Sequence, residues 1–584
     1  MLFLISGIIA IWFGFFYLDN EAIVFSYSRS VFYFYSISSI FFVICIIKNI
    51  IFNENNIIDN QLILNKIKQF FVFHWLALFL SFLFVSLSGF ACKPDFRILP
   101  FETNVLSTSQ NLYERKISYT TISSIETETG KKTLFNMFID RNSTFFSYIL
   151  SLNHSLIGYR PENVFVLNSI IGFLSLFLMY YFIQIIFGRF WGICGLCILT
   201  AFPVFILYTN SGSFDIYNLF CSLVLFLNIY CFIKQPNANK AESLLIWFII
   251  LLQSQIYSIL SIILIISLIV YYLPKKEISN LTYKTCLFPL LLIPILWLLK
   301  ISLTVQIGQL DSLFNFSYFY NNIIRFFVFL FSGEEELGII LAINIIGFVG
   351  FLLFIEEILK KQKEMIKNNL NWMSDKDYRI FWISIFSFYI LYAIAEFSYK
   401  LTDLTDWSIG RHIIPFLPII VVMVVYLLSN FNRIKAKRIP ELRKSYCFLA
   451  ILFIIVVYWP NAGRNFGVRN LESYQYFKET RRYLDCYFPD KYNYILLTDN
   501  SSLFVPLNYS ALGYEDCNRN EEKIISLFKD HTYKYFIEIK KIDMNNDNNN
   551  SPKFSLQEKF KEEILHEVQF IDGKLLRFSK LTLI

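Results

Sequence analysis

Residues 164–187 read VFVLNSIIGFLSLFLMYYFIQIIF, an apolar stretch without a single charged side chain. A helix needs about 20 apolar residues to cross a bilayer, so a stretch of this length predicts a membrane span. Similar blocks alternate with short polar loops along much of the chain. Only 17% of the residues are charged, whereas a soluble domain averages about 25%. The sequence therefore predicts an α-helical polytopic membrane protein.

Thirteen spans are predicted from these apolar blocks, with approximate limits of 1–17, 31–52, 69–91, 163–187, 190–208, 214–233, 242–256, 257–273, 285–303, 337–359, 379–398, 412–430 and 446–460. The segments 242–256 and 257–273 form a predicted hairpin, broken at residues 253–255 (QSQ). Residues 1–17 lack a basic start and a small-residue cleavage site, so we interpret them as a span and not as a removed signal peptide.

The distribution of Lys and Arg predicts the orientation, because cytoplasmic loops are enriched in both. One set of alternate loops from Arg189 onward carries eighteen Lys or Arg residues, whereas the intervening loops after residue 208 carry only Arg325, Lys400 and Arg411. An unsplit helix over 242–273 would invert every later loop, so these charges also favour the hairpin. The N-terminus is then cytoplasmic, and a bacterial inner or plasma membrane is the expected location.

Two long segments lie on the extracytoplasmic side in this orientation: the loop of residues 92–162 and the tail. We predict an additional N-terminal transmembrane region (1–68), a transmembrane catalytic domain that includes the loop (69–462), and a small α/β domain (463–584). Within the tail, residues 494–498 and 535–539 have the pattern of strands, and residues 521–530 and 556–565 that of helices. Cys486 and Cys517 could pair in an oxidising compartment, and two free thiols fit equally well.

The candidate chemistry rests on carboxylates, because the sequence has no P-loop, dinucleotide fingerprint, zinc-type Cys/His spacing or G-x-S-x-G elbow. Asp95, Arg97 and Glu102 follow a predicted membrane exit closely, and Asp140 and Arg141 come later in the same loop. The amphipathic stretch 146–157, which carries His154, should lie at the membrane interface. A carboxylate here can act as a general base toward an acceptor, while Arg97, Arg141 and Arg160 can hold a phosphate.

Several short motifs resemble those of the GT-C membrane glycosyltransferases, especially the aminoarabinose transferase and protein O-mannosyltransferase group. The resemblance covers most of the chain, and each motif is short and degenerate. The matching residues are Phe101-Glu102, residues 141–147 (RNSTFFS), Asn153-His154, Gly158-Tyr159-Arg160, residues 187–190 (FGRF), residues 203–215 (PVFILYTNSGSFD) and residues 410–418 (GRHIIPFLP). Phe101 stands where the family has its first acidic residue, so only Glu102 matches that acidic pair.

The resemblance implies transfer of a sugar from a polyprenyl-phosphate-linked donor to a lipid, glycan or protein acceptor at the extracytoplasmic face. The candidate catalytic residues are Glu102, Asp215 and Asp140. The candidate ligands of the donor phosphate are Arg97, Arg141 and Arg411. Further candidates are Asp95, His154 and Glu396, the last because an ionisable residue within a span is costly and usually functional. A divalent metal ion is compatible with this chemistry, although no ligand spacing indicates one.

Several candidates have simpler interpretations, and Glu396 could simply reach the membrane interface. Glu102 could be a solvated loop carboxylate, and Asp215 could cap the following helix, with Ser213 as a rival cap. Asp140 and Arg141 could form an interfacial ion pair, and His154 could satisfy a local hydrogen bond. Arg411 could pair structurally with Asp403 and Asp406.

Two other functions remain open from the sequence. A transporter or flippase for a lipid-linked sugar would predict internal repeats and charges at mid-membrane. Neither feature is evident. A catalytically inactive GT-C relative that binds a lipid-linked glycan would explain the missing acidic residue at Phe101.

Overall fold

The computed structural model describes most of the chain: residues 33, 36, 60–96, 99, 101–130, 132–138, 144–254, 256–274, 316–331, 338–359, 374–398, 412–435, 472–543, 554–569 and 574–584. The predicted spans 1–17, 285–303 and 446–460 lie outside these residues. Therefore the predicted total of thirteen spans stays a prediction.

The described part is mainly helical. The helices of its first half are α1 (Asn60–Ala91), α2 (Phe101–Arg115), α3 (Thr144–Ile157), α4 (Asn163–Phe187), α5 (Arg189–Ala201), α6 (Pro203–Thr209), α7 (Asp215–Lys234), α8 (Ala238–Ser254) and α9 (Ile262–Tyr272). Those of its second half are α10 (Phe316–Phe331), α11 (Gly338–Leu359), α12 (Asp375–Phe397), α13 (Leu417–Lys435), α14 (Glu472–Tyr487), α15 (Tyr514–Arg519) and α16 (Glu521–Lys529).

Four of the described helices are long and apolar enough to cross a membrane. Their qualifying segments are Lys68–Phe90, Asn163–Phe187, Asp215–Lys234 and Lys376–Phe397. These segments coincide with the predicted spans 69–91, 163–187, 214–233 and 379–398. Membrane crossing is inferred here from length and composition, the same physical signal that the sequence carries.

The predicted span 190–208 is not one helix. It consists of α5 and α6, which meet at an angle of 76°. Phe202 between them has an extended backbone (φ −76°, ψ 118°), and Pro203 opens α6. Because a proline ring disfavours the helical conformation for the residue before it, the helix breaks at this point.

The predicted hairpin over 242–273 has a counterpart in the structure. Helix α8 ends at Ser254, and a 3₁₀ turn (Ile256–Ser261) leads into α9. Tyr272 at the end of α9 packs against Phe232 near the end of α7, with ring centroids 6.2 Å apart. Since α8 begins just after α7 ends, the start of α8 and the end of α9 lie at the same end of the bundle. The chain therefore reverses direction between them.

Helix α4 is in contact with α1, α5 and α7. Phe182 on α4 packs against Phe226 of α7 and Phe381 of α12, with ring centroids 6.2 and 6.3 Å apart. Large aromatic rings thus fill the space between α4, α7 and α12. Helix α7 is the most buried of the four long apolar helices, with 78% of its span enclosed by the protein.

A seven-stranded sheet lies at one end of the bundle. Its strands are β1 (Thr120–Glu126), β2 (Lys132–Phe138), β3 (Tyr494–Leu497), β4 (Ala511–Leu512), β5 (Tyr535–Asp543), β6 (Phe560–Gln569) and β7 (Lys574–Leu583). They are ordered β2-β1-β4-β3-β5-β7-β6, with β3 parallel to β4 and β5 and the other pairs antiparallel.

The sheet combines two segments that are far apart in sequence. Strands β1 and β2 come from the loop 92–162, and the other five come from the tail. Beside the junction of β1 and β4, buried Asp516 accepts hydrogen bonds from Ser123 Oγ and, at 3.0 Å, from Asn136 Nδ2. Because one sheet holds both segments, the loop and the tail lie on the same side of the membrane.

One element of the tail differs from its prediction. Residues 521–530 were expected to be helical and contain α16, but most of the predicted helix 556–565 is the strand β6, preceded by a short 3₁₀ turn. β6 pairs with β7 along its whole length, and this non-local pairing outweighs the local preference of the residues. Cys486 and Cys517 are both free thiols, the first exposed and the second buried.

We predict that a cysteine at Thr129, in the β1–β2 turn, and one at Lys529, at the end of α16, react with a membrane-impermeant maleimide from the same side. Both positions are exposed. The background is a variant in which the exposed thiols Cys231 and Cys486 are replaced by serine. Gln235→Cys is the control. Gln235 follows α7 at the end of that helix distant from the sheet, so this cysteine should react only after permeabilisation. Labelling of Thr129→Cys and Lys529→Cys from opposite sides would contradict the shared sheet.

Candidate active site

Glu102 is a buried carboxylate at the junction of the bundle and the sheet. It lies in the first turn of α2 and has no solvent exposure. Its Oε1 atom accepts a hydrogen bond of 2.6 Å from the backbone N–H of Gly212, 110 residues further along the chain. The structure therefore excludes the interpretation of Glu102 as a solvated loop carboxylate.

Gly212 allows this contact because it has no side chain. A Cβ atom at this position would lie 3.2 Å from Glu102 Cβ and 3.2 Å from Phe96 Cε1. Both distances are shorter than ordinary van der Waals contact. A larger residue would push the 210–215 loop away from α2 and lengthen the hydrogen bond.

Asn168, a polar residue within the apolar stretch of α4, fixes the 210–215 loop to that helix by hydrogen bonds. Its Nδ2 atom donates hydrogen bonds of 2.7 Å to the carbonyl oxygens of both Ser211 and Ser213. On the other side of the loop, Asn210 Nδ2 donates to Ser88 Oγ of α1 at 3.0 Å. Helices α1, α2 and α4 thus converge on one short segment, the segment that leads directly into Asp215.

Asp215 is the first residue of α7 and is 5% exposed. Ser213 Oγ donates a hydrogen bond to its Oδ2 atom. The cap position of α7 belongs to Phe214 and has no side-chain capping bond, so neither Asp215 nor Ser213 acts as the helix cap. The positive end of the α7 dipole favours a negative charge on Asp215.

Asp95 connects the end of α1 to this loop and to the tail. Its backbone N–H donates to Asn210 O at 3.3 Å, and its Oδ2 atom accepts from Tyr474 Oη of α14 at 3.2 Å. Its Oδ1 atom accepts from the N–H of Phe96. These contacts support an organising role for Asp95 beside Glu102 and Asp215.

His154 is fully buried and bridges two helices. Its Nε2 atom lies 3.2 Å from Ser109 Oγ of α2, and its Nδ1 atom lies 3.0 Å from Asn163 Nδ2 of α4. Burial lowers the pKa of His154 to about 4, so the imidazole is neutral at physiological pH. These contacts favour a structural role over a cationic phosphate ligand.

Glu396, near the end of α12, forms a buried contact with His412. His412 Nδ1 meets Glu396 Oε1, and the two side chains are 7% and 3% exposed for the histidine and the glutamate, respectively. The second carboxylate oxygen of Glu396, Oε2, is buried and has no hydrogen-bond partner among the described residues.

Four sequence candidates lie outside the described residues: Arg97, Asp140, Arg141 and Arg411. Their assignments stay predictions. Arg160 is exposed. Within the described ranges, no three His, Cys, Asp or Glu residues come close enough together to hold a metal ion. The described residues therefore offer no set of ligands that fits a divalent metal.

The structure brings together Asp95, Glu102 and Asp215, and it adds residues that sequence reasoning missed. Asn168 and Gly212 hold the acidic segments in place, and Tyr474 reaches the site from the tail. An asparagine within an uncharged span is itself a signal, because an amide in hydrocarbon needs hydrogen-bond partners. Gly212 and Tyr474 carry no comparable signal.

The structure resembles solved membrane enzymes at low sequence identity. The crystal structure of ArnT from Cupriavidus metallidurans bound to undecaprenyl phosphate matches at 10% identity and a TM-score of 0.44, over 86% of this chain and 98% of that one. Its apo state matches at 9% identity and a TM-score of 0.46, over 87% of this chain and 98% of that one.

The oligosaccharyltransferase of Archaeoglobus fulgidus in complex with Zn and sulfate matches at 11% identity and a TM-score of 0.44, over 79% of this chain and 67% of that one. Both neighbours are GT-C glycosyltransferases, the class that the sequence motifs resemble. No protein-family model and no curated protein sequence matches the chain.

Replacing Asn168 by alanine should release the 210–215 loop. The change leaves two buried carbonyl groups without their donor, which costs about 3 kcal/mol of stability. The thermal unfolding temperature of the detergent-solubilised protein measures the loss. Ser175→Ala, a buried polar change on the same helix, is the control, since Ser175 Oγ donates to the Ile171 carbonyl of that helix. Equal losses in the two variants would contradict the role of Asn168 as the anchor of the loop.

His154 should make the protein less stable in mild acid. Its pKa is lowered to about 4 in the folded state, so between its unfolded and folded pKa values the unfolded chain binds more protons. Stability then falls by about 2 kcal/mol as the pH drops from about 7 to about 5. Thermal unfolding across this range should show a steeper decline for the wild type than for His154→Gln, which cannot titrate. Parallel declines would contradict the prediction.

Proposed function

We propose that this chain is a membrane glycosyltransferase that moves a sugar from a polyprenyl-phosphate-linked donor to an acceptor at the membrane face that carries the sheet. The observation that carries the proposal is the 2.6 Å hydrogen bond between Glu102 Oε1 and the Gly212 N–H. It joins the segment bearing Glu102 to the segment bearing Asp215, at the ends of apolar helices where a lipid-borne substrate would present its head group.

A lipid donor is supported by a cavity among α10, α11, α12 and α13. The cavity has a volume of about 530 Å³, and aromatic and aliphatic side chains form nearly all of its wall. Its lining includes Phe327, Phe351, Ile390 and Met423, and it extends to Phe397 and Phe416. Such a wall suits an isoprenoid tail, which has no polar groups to satisfy.

In the proposed reaction, Glu102 takes the proton from an acceptor hydroxyl or amine. The acceptor atom forms a bond to the anomeric carbon of the sugar. The bond between that carbon and the phosphate oxygen breaks, and its electron pair leaves with the polyprenyl phosphate. Because Glu102 is shielded from solvent, the proton that it takes comes from a bound acceptor and not from bulk water.

Asp215 is proposed to orient the acceptor beside Glu102. The sheet and α2 cover the site, since α2 packs against both β1 and the Val505–Leu507 turn of the tail. Arg97, Arg141 and Arg411 are proposed to hold the donor phosphate, because a guanidinium matches two phosphate oxygens at once. Arg97 follows Phe96 of the site directly, and Arg411 precedes His412.

Glu102→Gln should reduce transfer about 100-fold or more, because a glutamine cannot take the proton. Its side-chain oxygen can still accept from the Gly212 N–H, so the fold should persist. The variants are expressed in a host strain from which the gene for this protein has been deleted. Mass spectrometry of envelope lipids, glycans and proteins then measures the sugar modification.

Asp215→Asn should also lower the modification, and Glu128→Gln, at the exposed β1–β2 turn, should leave it unchanged. A Glu102→Gln protein that is present at normal abundance and supports full modification would remove Glu102 from the mechanism.

A further inference from the structure

Glu396 is a carboxylate without a complete set of partners in a membrane-spanning helix. Its side chain is 3% exposed, and His412 occupies only its Oε1 atom. The buried Oε2 atom has no hydrogen-bond partner among the described residues. Burying a carboxylate oxygen at this depth is costly unless something donates a hydrogen bond to it. The arrangement therefore suggests a hydroxyl- or amine-bearing guest.

Contacts between α7 and α12 show where Glu396 lies relative to Asp215. The two helices run antiparallel, because Tyr230 packs against Phe381 while Phe226 packs against Phe388, with ring centroids 6.1 and 5.6 Å apart. Asp215 lies eleven residues before Phe226 on α7, and Glu396 lies eight residues after Phe388 on α12, toward the same end of the bundle. At a rise of about 1.5 Å per residue, Glu396 is therefore about 4 Å closer to the membrane interior than Asp215. The two carboxylates therefore lie within about one helical turn of each other in height.

The 3₁₀ turn that follows His412 lies against both helices. Residues Ile414–Phe416 pack against α7. The Phe416 ring lies 5.5 Å from Tyr389 and 5.6 Å from Tyr392 on α12. His412 and Glu396 thus face the same interface between α7 and α12.

The apolar cavity ends beside the same pair. Phe397, the neighbour of Glu396 in sequence, and Phe416 both belong to the cavity wall. Along the axis of α12, the order outward from the cavity is thus an apolar wall, then the Glu396–His412 pair, then Asp215 within about one helical turn. A lipid-linked sugar has the same order of parts: an apolar tail, a phosphate and sugar, and the carbon at which transfer occurs.

The negative charge of Glu396 determines which part of the donor it can bind. A carboxylate repels a phosphate, and its oxygen atoms only accept hydrogen bonds. Sugar hydroxyls are donors that match such an oxygen. A site built to bond a hydroxyl discriminates strongly against a ligand that lacks it, because its own buried group is then left unpaired.

We propose that Glu396 recognises the donor sugar, because its Oε2 atom accepts a hydrogen bond from a sugar hydroxyl. His412 holds the carboxylate in place through Oε1 and acts as a positioning residue. This inference rests on the proposed function, since it assigns the sugar end of the same donor. It adds a specificity-determining residue on α12 to the acidic residues of α2 and α7.

Binding of defined carriers to the full chain in lipid nanodiscs tests this proposal. The probes are undecaprenyl phosphate alone and undecaprenyl phosphate bearing glucose, galactose, mannose or N-acetylglucosamine. The wild type should bind at least one glycosylated carrier more tightly than the bare carrier. Glu396→Gln should reduce this difference about tenfold and leave affinity for the bare carrier unchanged. The unchanged affinity also shows that the variant is folded.

Two further variants sharpen the test. His412→Ala should reduce the sugar-dependent difference in the same direction as Glu396→Gln, because the carboxylate loses its orientation. Asp377→Asn, a carboxylate change at the opposite end of α12, should leave the difference intact.

Three results would overturn the assignment of Glu396: no preference for any glycosylated carrier in the wild type, a preference that survives Glu396→Gln, or equal weakening of bare and glycosylated carriers. Failure of the wild type to bind even bare undecaprenyl phosphate would instead contradict the proposed function.

Discussion

The hydrogen bond from the Gly212 backbone to the Glu102 carboxylate is the contact on which the rest of the candidate site depends. A buried backbone N–H needs an acceptor, and a carboxylate is a strong one. This contact joins the first turn of α2 to the loop before α7, and Asn168 secures the same loop from α4. A Cβ atom at Gly212 would lie 3.2 Å from Glu102 Cβ, so the absence of a side chain there favours the close approach of the two acidic segments.

The sheet is the second constraint, because it joins the loop after α1 to the tail. Asp516 ties β1 and β2 to the tail through Ser123 and Asn136. Helix α2, which carries Glu102, is packed between this sheet and the bundle. The covering of the site is therefore made from both extramembrane segments.

Local physical signals in the sequence predicted much of the bundle. The uncharged stretch of α4 and the amphipathic stretch of α3 have one clear interpretation each, and loop charges favoured the reversal between α8 and α9. Pro203 marks the break between α5 and α6, but the apolar composition on both sides of it favoured one span. The motifs also predicted that Glu102 and Asp215 belong to the same catalytic site. The sequence did not predict contacts between distant residues. These include the pairing of Ser124 with Ala511, the pairing that makes β6 a strand, and the hydrogen bond between Glu102 and Gly212.

In the proposed reaction a polyprenyl phosphate lies with its tail in the apolar cavity and its phosphate at the end of the cavity marked by Phe397 and Phe416. A cryo-electron microscopy structure of the chain in nanodiscs with undecaprenyl phosphate measures this directly. We predict phosphate density at the end of the cavity beside Phe397 and Phe416, continuous with tail density along Ile390. Phosphate density at the opposite end of α12, near Asp377, or a lipid bound away from the cavity, would contradict it.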